Sequence, residues 1–163
     1  MVEWTSRQYK DVLKKNNIDK KDLKLINKAF RYNVINFEYK LYSDSESILS
    51  YCKSKGYNNY ILSNNFPELV QVIERFNLEK YFADYFISSN IGYEKPRIEI
   101  FEYAINKANY PGVCYMIGDN PIADIQRGKN ACLNTILVHN NSIDDLTNNY
   151  YCESLTDIKK IIK

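Results

Sequence analysis

The sequence predicts an α/β domain, a parallel sheet with helices on both faces. Three observations carry that class. Short apolar runs that read as strands alternate with stretches whose apolar residues recur at helical spacing. Turn-forming Ser, Asn, Gly and Pro separate them. The apolar run 114–117 also stops at Gly118-Asp119-Asn120-Pro121, which reads as strand, tight turn and new helix, because Asn120 is a good N-cap and Pro121 fits a first helical position.

Taken in order, residues 5–32 carry two helical patterns, Tyr9, Val12 and Leu13, then Leu23, Ile26 and Phe30, with Asp19 as the N-cap between them. They predict a helical hairpin that needs another surface to pack on. Residues 34–42 suit either a strand or a helix end. Ser43 and Glu46 have capping-box spacing, and Ile48, Leu49 and Cys52 form a stripe that ends near Gly56. A strand at 60–62 leads through Ser63-Asn64-Asn65 to a helix with Leu69, Val72, Ile73 and Phe76 on its inner face. A strand at 85–87 and a loop at 88–96 precede a helix marked by Ile98, Phe101, Ile105 and Ala108. The strand at 114–117, a helix at 121–130 and a strand at 135–139 follow, and the chain closes with an extended 150–153 and a helix at 155–162.

Composition narrows the class of function. A chain of 163 residues, 45% hydrophobic and 26% charged, has the makings of one soluble domain with at most a small appendage. The mean hydropathy of −0.48, the lack of an apolar leader in residues 1–7 and the lack of a spanning run argue against a membrane partner and for the cytoplasm. A net charge of +2 is too small for a nucleic-acid footprint. The cysteines, Cys52, Cys114, Cys132 and Cys152, lack C-x-x-C spacing and read as reduced, mostly buried thiols. His139 is the one histidine, too few for a metal site or relay, and reads as structural.

Three loops converge on the sheet edge where ligands bind in open α/β folds. Asp119 stands at a strand's carboxyl end and Asp124 about one turn into the next helix, two carboxylates that suit Mg²⁺. Taken singly, they read equally well as a turn residue and a helix-start acid. Ser63 offers a hydroxyl and Asn64 a backbone N–H beside a helix start marked by Pro67, an anion site. Lys95, before Pro96, is extended with its ammonium projecting. A phosphate held by a hydroxyl, amides, a lysine and Mg²⁺ is what phosphoryl transfer requires.

Leu62-Ser63-Asn64, Gly92-Tyr93-Glu94-Lys95-Pro96 and Gly118-Asp119 followed by Asp124 resemble motifs II, III and IV of the haloacid dehalogenase (HAD) superfamily of phosphohydrolases. The separations, 32 residues from Ser63 to Lys95 and 24 from Lys95 to Asp119, are usual for that family. The resemblance runs from about residue 43 to the C-terminus and implies a HAD-like Rossmannoid, three-layer parallel sheet. It implies residues 43–163 as the core and 1–42 as part of a helical cap that selects the substrate. It further implies that Ser63 and Lys95 act in catalysis, that Ser63, Asn64 and Lys95 bind the phosphoryl group of a small metabolite, and that Asp119 and Asp124 anchor Mg²⁺.

The family's nucleophile lies in motif I, an apolar strand ending in Asp-x-Asp, and no Asp-x-Asp occurs in these 163 residues. Asp44-Ser45-Glu46 comes closest, but falls where a helix start is expected. The chain therefore resembles a HAD protein truncated at its N-terminus, inactive alone. The rival reading is a non-catalytic phosphate-binding or assembly module; a flavodoxin-like binder would instead point Lys95 and Asp124 away from Ser63. Since motif I is the family's central strand, its loss predicts that strand 60–62 closes onto strand 114–117, or that a segment fills the slot. That segment would be residues 34–42, exchanged in a homodimer, or the missing strand supplied in trans. The residue after the motif IV helix, where the family tends to have Gly, is Cys132, which predicts either strain or a different helix end.

Overall fold

The computed structural model describes residues 19–110, 112–139 and 150–163. The first helical pattern, Tyr9 to Leu13, lies outside them. Helix α1 (Lys20–Asn36) starts as predicted, the Asp19 carboxylate accepting the N–H groups of Lys21 and Asp22 at 2.7 and 2.8 Å. It runs to Asn36, and residues 37–42 form no strand. It leans on helix α3 (Leu69–Arg75) and the turn before it: Arg31 pairs with Glu68 at 2.6 Å, Phe30 stacks on Phe66, and Arg75 donates to the Ile35 carbonyl.

The predicted capping box does not form. Helix α2 (Ser45–Ser54) begins after Asp44, whose side chain makes no cap bond. The Asp44 carboxylate accepts instead from the N–H and hydroxyl of Thr156, at 2.9 and 3.1 Å, and Glu46 accepts from the Tyr81 hydroxyl. Tertiary donors have displaced the local ones. At the far end Gly56, at φ +83°, closes α2 with the two backbone bonds of a left-handed cap, Gly56 N–H to Lys53 and Tyr57 N–H to Cys52.

The sheet is parallel, as expected, but comes in two parts. Strand β1 (Asn59–Ser63) pairs with β2 (Phe82–Ile87). Strand β3 (Tyr115–Gly118) pairs with β4 (Asn134–Val138), which pairs with β5 (Tyr150–Cys152). Among the described residues β1 does not close onto β3, and residues 37–42 do not insert between them. An apolar cavity of about 660 Å³ lies there, bordered by Tyr60 and Leu62 on one side and Tyr115, Met116 and Ile117 on the other.

Helices hold this frame. Helix α5 (Ile98–Lys107) buries Ile100 and Phe101 in one cluster with Leu62 of β1 and Met116 of β3. Tyr115 and Ile117 point to the other face, since strand side chains alternate. There α2 packs Ile48 and Cys52 with Ile136, Val138 and Ile158, the last in a terminal 3₁₀ helix, Leu155–Lys160. The layers are those of a three-layer fold with its sheet divided. No helix among the described residues is long and apolar enough to cross a membrane.

After β3, Asn120 caps a π-helical turn, Pro121–Gln126, that continues into helix α6 (Arg127–Asn130). Cys132 then adopts φ +60°, its N–H bonded to the Lys129 carbonyl while the Leu133 N–H reaches Gly128. This is the glycine-type cap, made by a cysteine. All four cysteines are free; Cys52 and Cys152 are buried as expected, but Cys132 is exposed.

Two stability measurements follow from these contacts. Relieving left-handed strain at Cys132, less the greater unfolded-state freedom of glycine, makes Cys132→Gly stabilising by about 0.5–1 kcal/mol. The urea midpoint rises at unchanged slope; an unmoved midpoint would show that residue 132 carries no strain. Burial alone would push the Asp44 carboxyl up, but the two bonds from Thr156, helped by His139, outweigh it and hold the group below its ordinary value. A depressed folded-state value stabilises above the ordinary range, about pH 4, and is lost as pH falls through the folded value. The stability gap between the parent chain and Asp44→Asn therefore narrows below about pH 4. A gap that ignores pH would mean the Thr156 bonds do not need the carboxylate.

Candidate active site at the strand ends

The carboxyl ends of β1, β2 and β3 supply the loops of the site. β2 leads into a short helix α4 (Ser88–Ile91), which Gly92 ends at φ +84°. Tyr93 to Lys95 follow, joined to Pro96 by a cis peptide bond. The ammonium of Lys95 contacts Asp124 Oδ1 at 2.6 Å, with the two side chains only 13% and 6% exposed. The other oxygen, Oδ2, accepts the Asn120 N–H at 3.1 Å. Asn120 in turn caps the π-helical turn, its Oδ1 accepting from Ile122 and Ala123 at 3.1 and 2.8 Å. The local signal Asn-Pro therefore aims Asp124: the cap fixes the turn, and the turn returns the carboxylate toward β3. Such π-turns concentrate at functional positions.

Gly118 makes that return possible. A Cβ there would lie 2.3 Å from Asp124 Oδ2, so the carboxylate occupies the space a side chain would need. Glycine at 118 answers to room rather than to a special φ.

The structure joins Lys95 to Asp124, and Ser63 and Asp119 adjoin in sequence the two asparagines that bond this pair. Ser63 is the last residue of β1, half-buried, and precedes Asn64, which bonds Lys95. Asp119 is exposed after β3 and precedes Asn120, which bonds Asp124. The 2.6 Å contact puts Lys95 and Asp124 at one place, and the bond from Asn64 ties Lys95 to the residue after Ser63.

The helix start expected beside Asn64 lies farther on. α3 begins at Leu69, behind a turn that holds Pro67 and Glu68. The Asn64 side chain is occupied by the backbone of Lys95, donating Nδ2–H to its carbonyl and accepting its N–H, both at 2.7 Å. Ser88 is a participant that no sequence signal marks; its buried hydroxyl accepts the Asn65 N–H at 3.1 Å.

Among the described residues no group of three or more His, Cys, Asp or Glu side chains gathers to hold a metal. Mg²⁺ does not need one, because it binds through one or two carboxylates with waters and substrate oxygens. Asp119 and Asp124 have the hard-oxygen chemistry of such a donor set, and the Asp124 carboxylate is seated in the space glycine leaves. Both Asp124 oxygens already accept one bond, but a carboxylate offers about four lone-pair sites. The residues present fit the ion.

The family model of the haloacid dehalogenase-like hydrolases matches residues 2–131, reaching farther toward the N-terminus than the three motifs do. The chain is 32% identical over 108 residues to the pyrimidine 5'-nucleotidase YjjG of Escherichia coli, across 63% of this chain and 48% of that protein. It is 31% identical over 100 residues to the glyceraldehyde 3-phosphate phosphatase of Methanothermobacter thermautotrophicus, across 60% and 44%. It thus spans about half the length of these curated relatives. Its fold is similar to that of the magnesium-bound HAD-hydrolase YfnB from Bacillus subtilis, with a TM-score of 0.75 at 21% identity over 93% of this chain and 68% of that one. With the family model covering most of the sequence, and with motifs II to IV brought together at one set of strand ends, the chain belongs to the haloacid dehalogenase-like hydrolases.

Proposed function

We propose that this site handles the phosphoryl group of a small phosphorylated metabolite in a Mg²⁺-dependent hydrolysis, and that these 163 residues alone do not turn it over. The observation that carries the reading is the largely buried Lys95–Asp124 pair in the loops that follow β2 and β3. Lys95 presents a positive charge that can pass from Asp124 to the equatorial oxygens of a phosphoryl group. Ser63 can donate its hydroxyl to the same group. Asp119 and Asp124 would hold Mg²⁺, which when bound neutralises charge on the phosphoryl oxygens. The names of the two curated relatives, a nucleotidase and a phosphatase, support phosphate-ester hydrolysis as the reaction.

The reaction class needs a carboxylate nucleophile. Asp44 is tied to Thr156, and the chain has no Asp-x-Asp. The cavity between β1 and β3 supports supply from outside: a strand entering there from another segment or a second copy would end at the same crevice. The same gap favours the second reading, a module that binds phosphate without hydrolysing it. Residues 1–42 then serve as part of the cap and 43–163 as the core, which the lean of α1 on α3 supports. The four free thiols support a reducing, cytoplasmic setting.

With Mg²⁺ and p-nitrophenyl phosphate, the purified chain gives no hydrolysis above that of its Asp119→Asn variant, yet binds inorganic phosphate, and Lys95→Met weakens that binding at least about tenfold. Turnover that Asp119→Asn abolishes would refute the inactivity. No phosphate binding at all would refute the site.

Gly118→Ala drives a methyl group into the Asp124 carboxylate. It costs about 1–3 kcal/mol and removes phosphate binding. A variant as stable as the parent, with binding intact, would show that the carboxylate can swing aside freely.

A further inference from the structure

We infer that Asn64 is a positioning residue, whose carboxamide sets where the Lys95 ammonium stands. Lys95 lies in a loop between α4 and α5, outside any sheet ladder, so its backbone groups need partners from elsewhere. Asn64 supplies both. Its Oδ1 accepts the Lys95 N–H and its Nδ2–H donates to the Lys95 carbonyl, each at 2.7 Å. An amide can serve the donor and the acceptor of one residue at once; a carboxylate can serve only the donor, and alanine neither. Turning the amide over would oppose donor to donor and acceptor to acceptor, so the orientation is fixed by the pairing.

As an exposed residue in a turn after a strand, Asn64 could simply be a turn former. Turn chemistry, however, engages an Asn side chain with residues nearby in sequence, and both polar atoms here reach a residue 31 positions away. Its own loop is anchored from behind, because the buried Ser88 hydroxyl holds the Asn65 N–H. Where β1 and β3 do not pair with each other among the described residues, a polar relay spans the strand ends: Asn64 after β1, Lys95, Asp124, then Asn120 after β3. Asn64 is the member that ties Lys95 to β1.

The consequence for ligand binding rests on the reading of Lys95 as a phosphate holder, while the positioning itself does not. A double-mutant cycle with Asn64→Ala and Asp124→Asn, in urea, tests it, because Asn64 and Asp124 communicate through Lys95. The coupling changes the folding equilibrium constant by roughly threefold or more, and the Lys95 ammonium resonance moves in Asn64→Ala. Binding of inorganic phosphate with Mg²⁺ falls by about tenfold in the same variant. Additive effects with an unmoved resonance would overturn the inference. Coupling with unchanged phosphate affinity would uphold the positioning and overturn the role given to Lys95. Should Asn64→Ala fail to fold, Asn64→Asp, which keeps the acceptor and loses the donor, completes the same cycle.

Discussion

The ion pair between Lys95 and Asp124 joins two halves of the protein that share no backbone pairing among the described residues. Lys95 is fastened to the β1–β2 unit through Asn64, and Asp124 to the β3–β4–β5 unit through Asn120 and the bare face of Gly118. Taking two charges out of water costs several kcal/mol per ion, and close contact with further hydrogen bonds offsets that loss. Both carboxylate oxygens of Asp124 accept bonds, which meets the condition on its side. Removing either partner would strand the other at low exposure. The contact that prepares the site is thus also one that a divided sheet depends on.

Unpaired strand edges facing a cavity are unusual in a parallel sheet, whose strands are ordinarily covered on both faces and paired on both sides. Here the covering persists without the pairing. α5 touches both half-sheets through Ile100 and Phe101, and α2 spans the other face while Asn59 Nδ2–H bonds to the Leu49 and Tyr81 carbonyls secure the start of β1. Side chains that would be fully buried in a closed sheet, Tyr60, Leu62, Tyr115 and Ile117, are only partly so. Helix packing therefore sets the spacing that strand pairing would otherwise set.

What the sequence made legible follows the range of the interaction responsible. The Asn120-Pro121 start, the Gly56 stop and the Asp19 cap each depend on residues within a turn of one another, and each appears in the structure. The strained alternative at Cys132 was visible for the same reason. The Ser43 box does not form, its Glu46 carboxylate accepting instead from the Tyr81 hydroxyl, 35 positions away, which local spacing cannot register. Asn64 was legible as a site residue through its motif, but not in its manner of acting, since its partner lies across another loop. The missing motif I located the slot between β1 and β3, but strand alternation could not say that among the described residues the slot would stay neither closed nor filled.

The same distinction explains why motif spacing located the site while leaving its chemistry incomplete. The meeting of Asn64, Lys95 and Asp124 needs only parallel strands with their carboxyl ends together, and their hydrogen bonds hold that arrangement even across a gap. A nucleophile needs more, a carboxylate carried to the centre of the crevice by a rigid element. In this chain the element that could carry it would have to lie where the cavity is. On the proposed reading, the described residues hold the charge-neutralising groups, and the place of the nucleophile coincides with the boundary between the half-sheets.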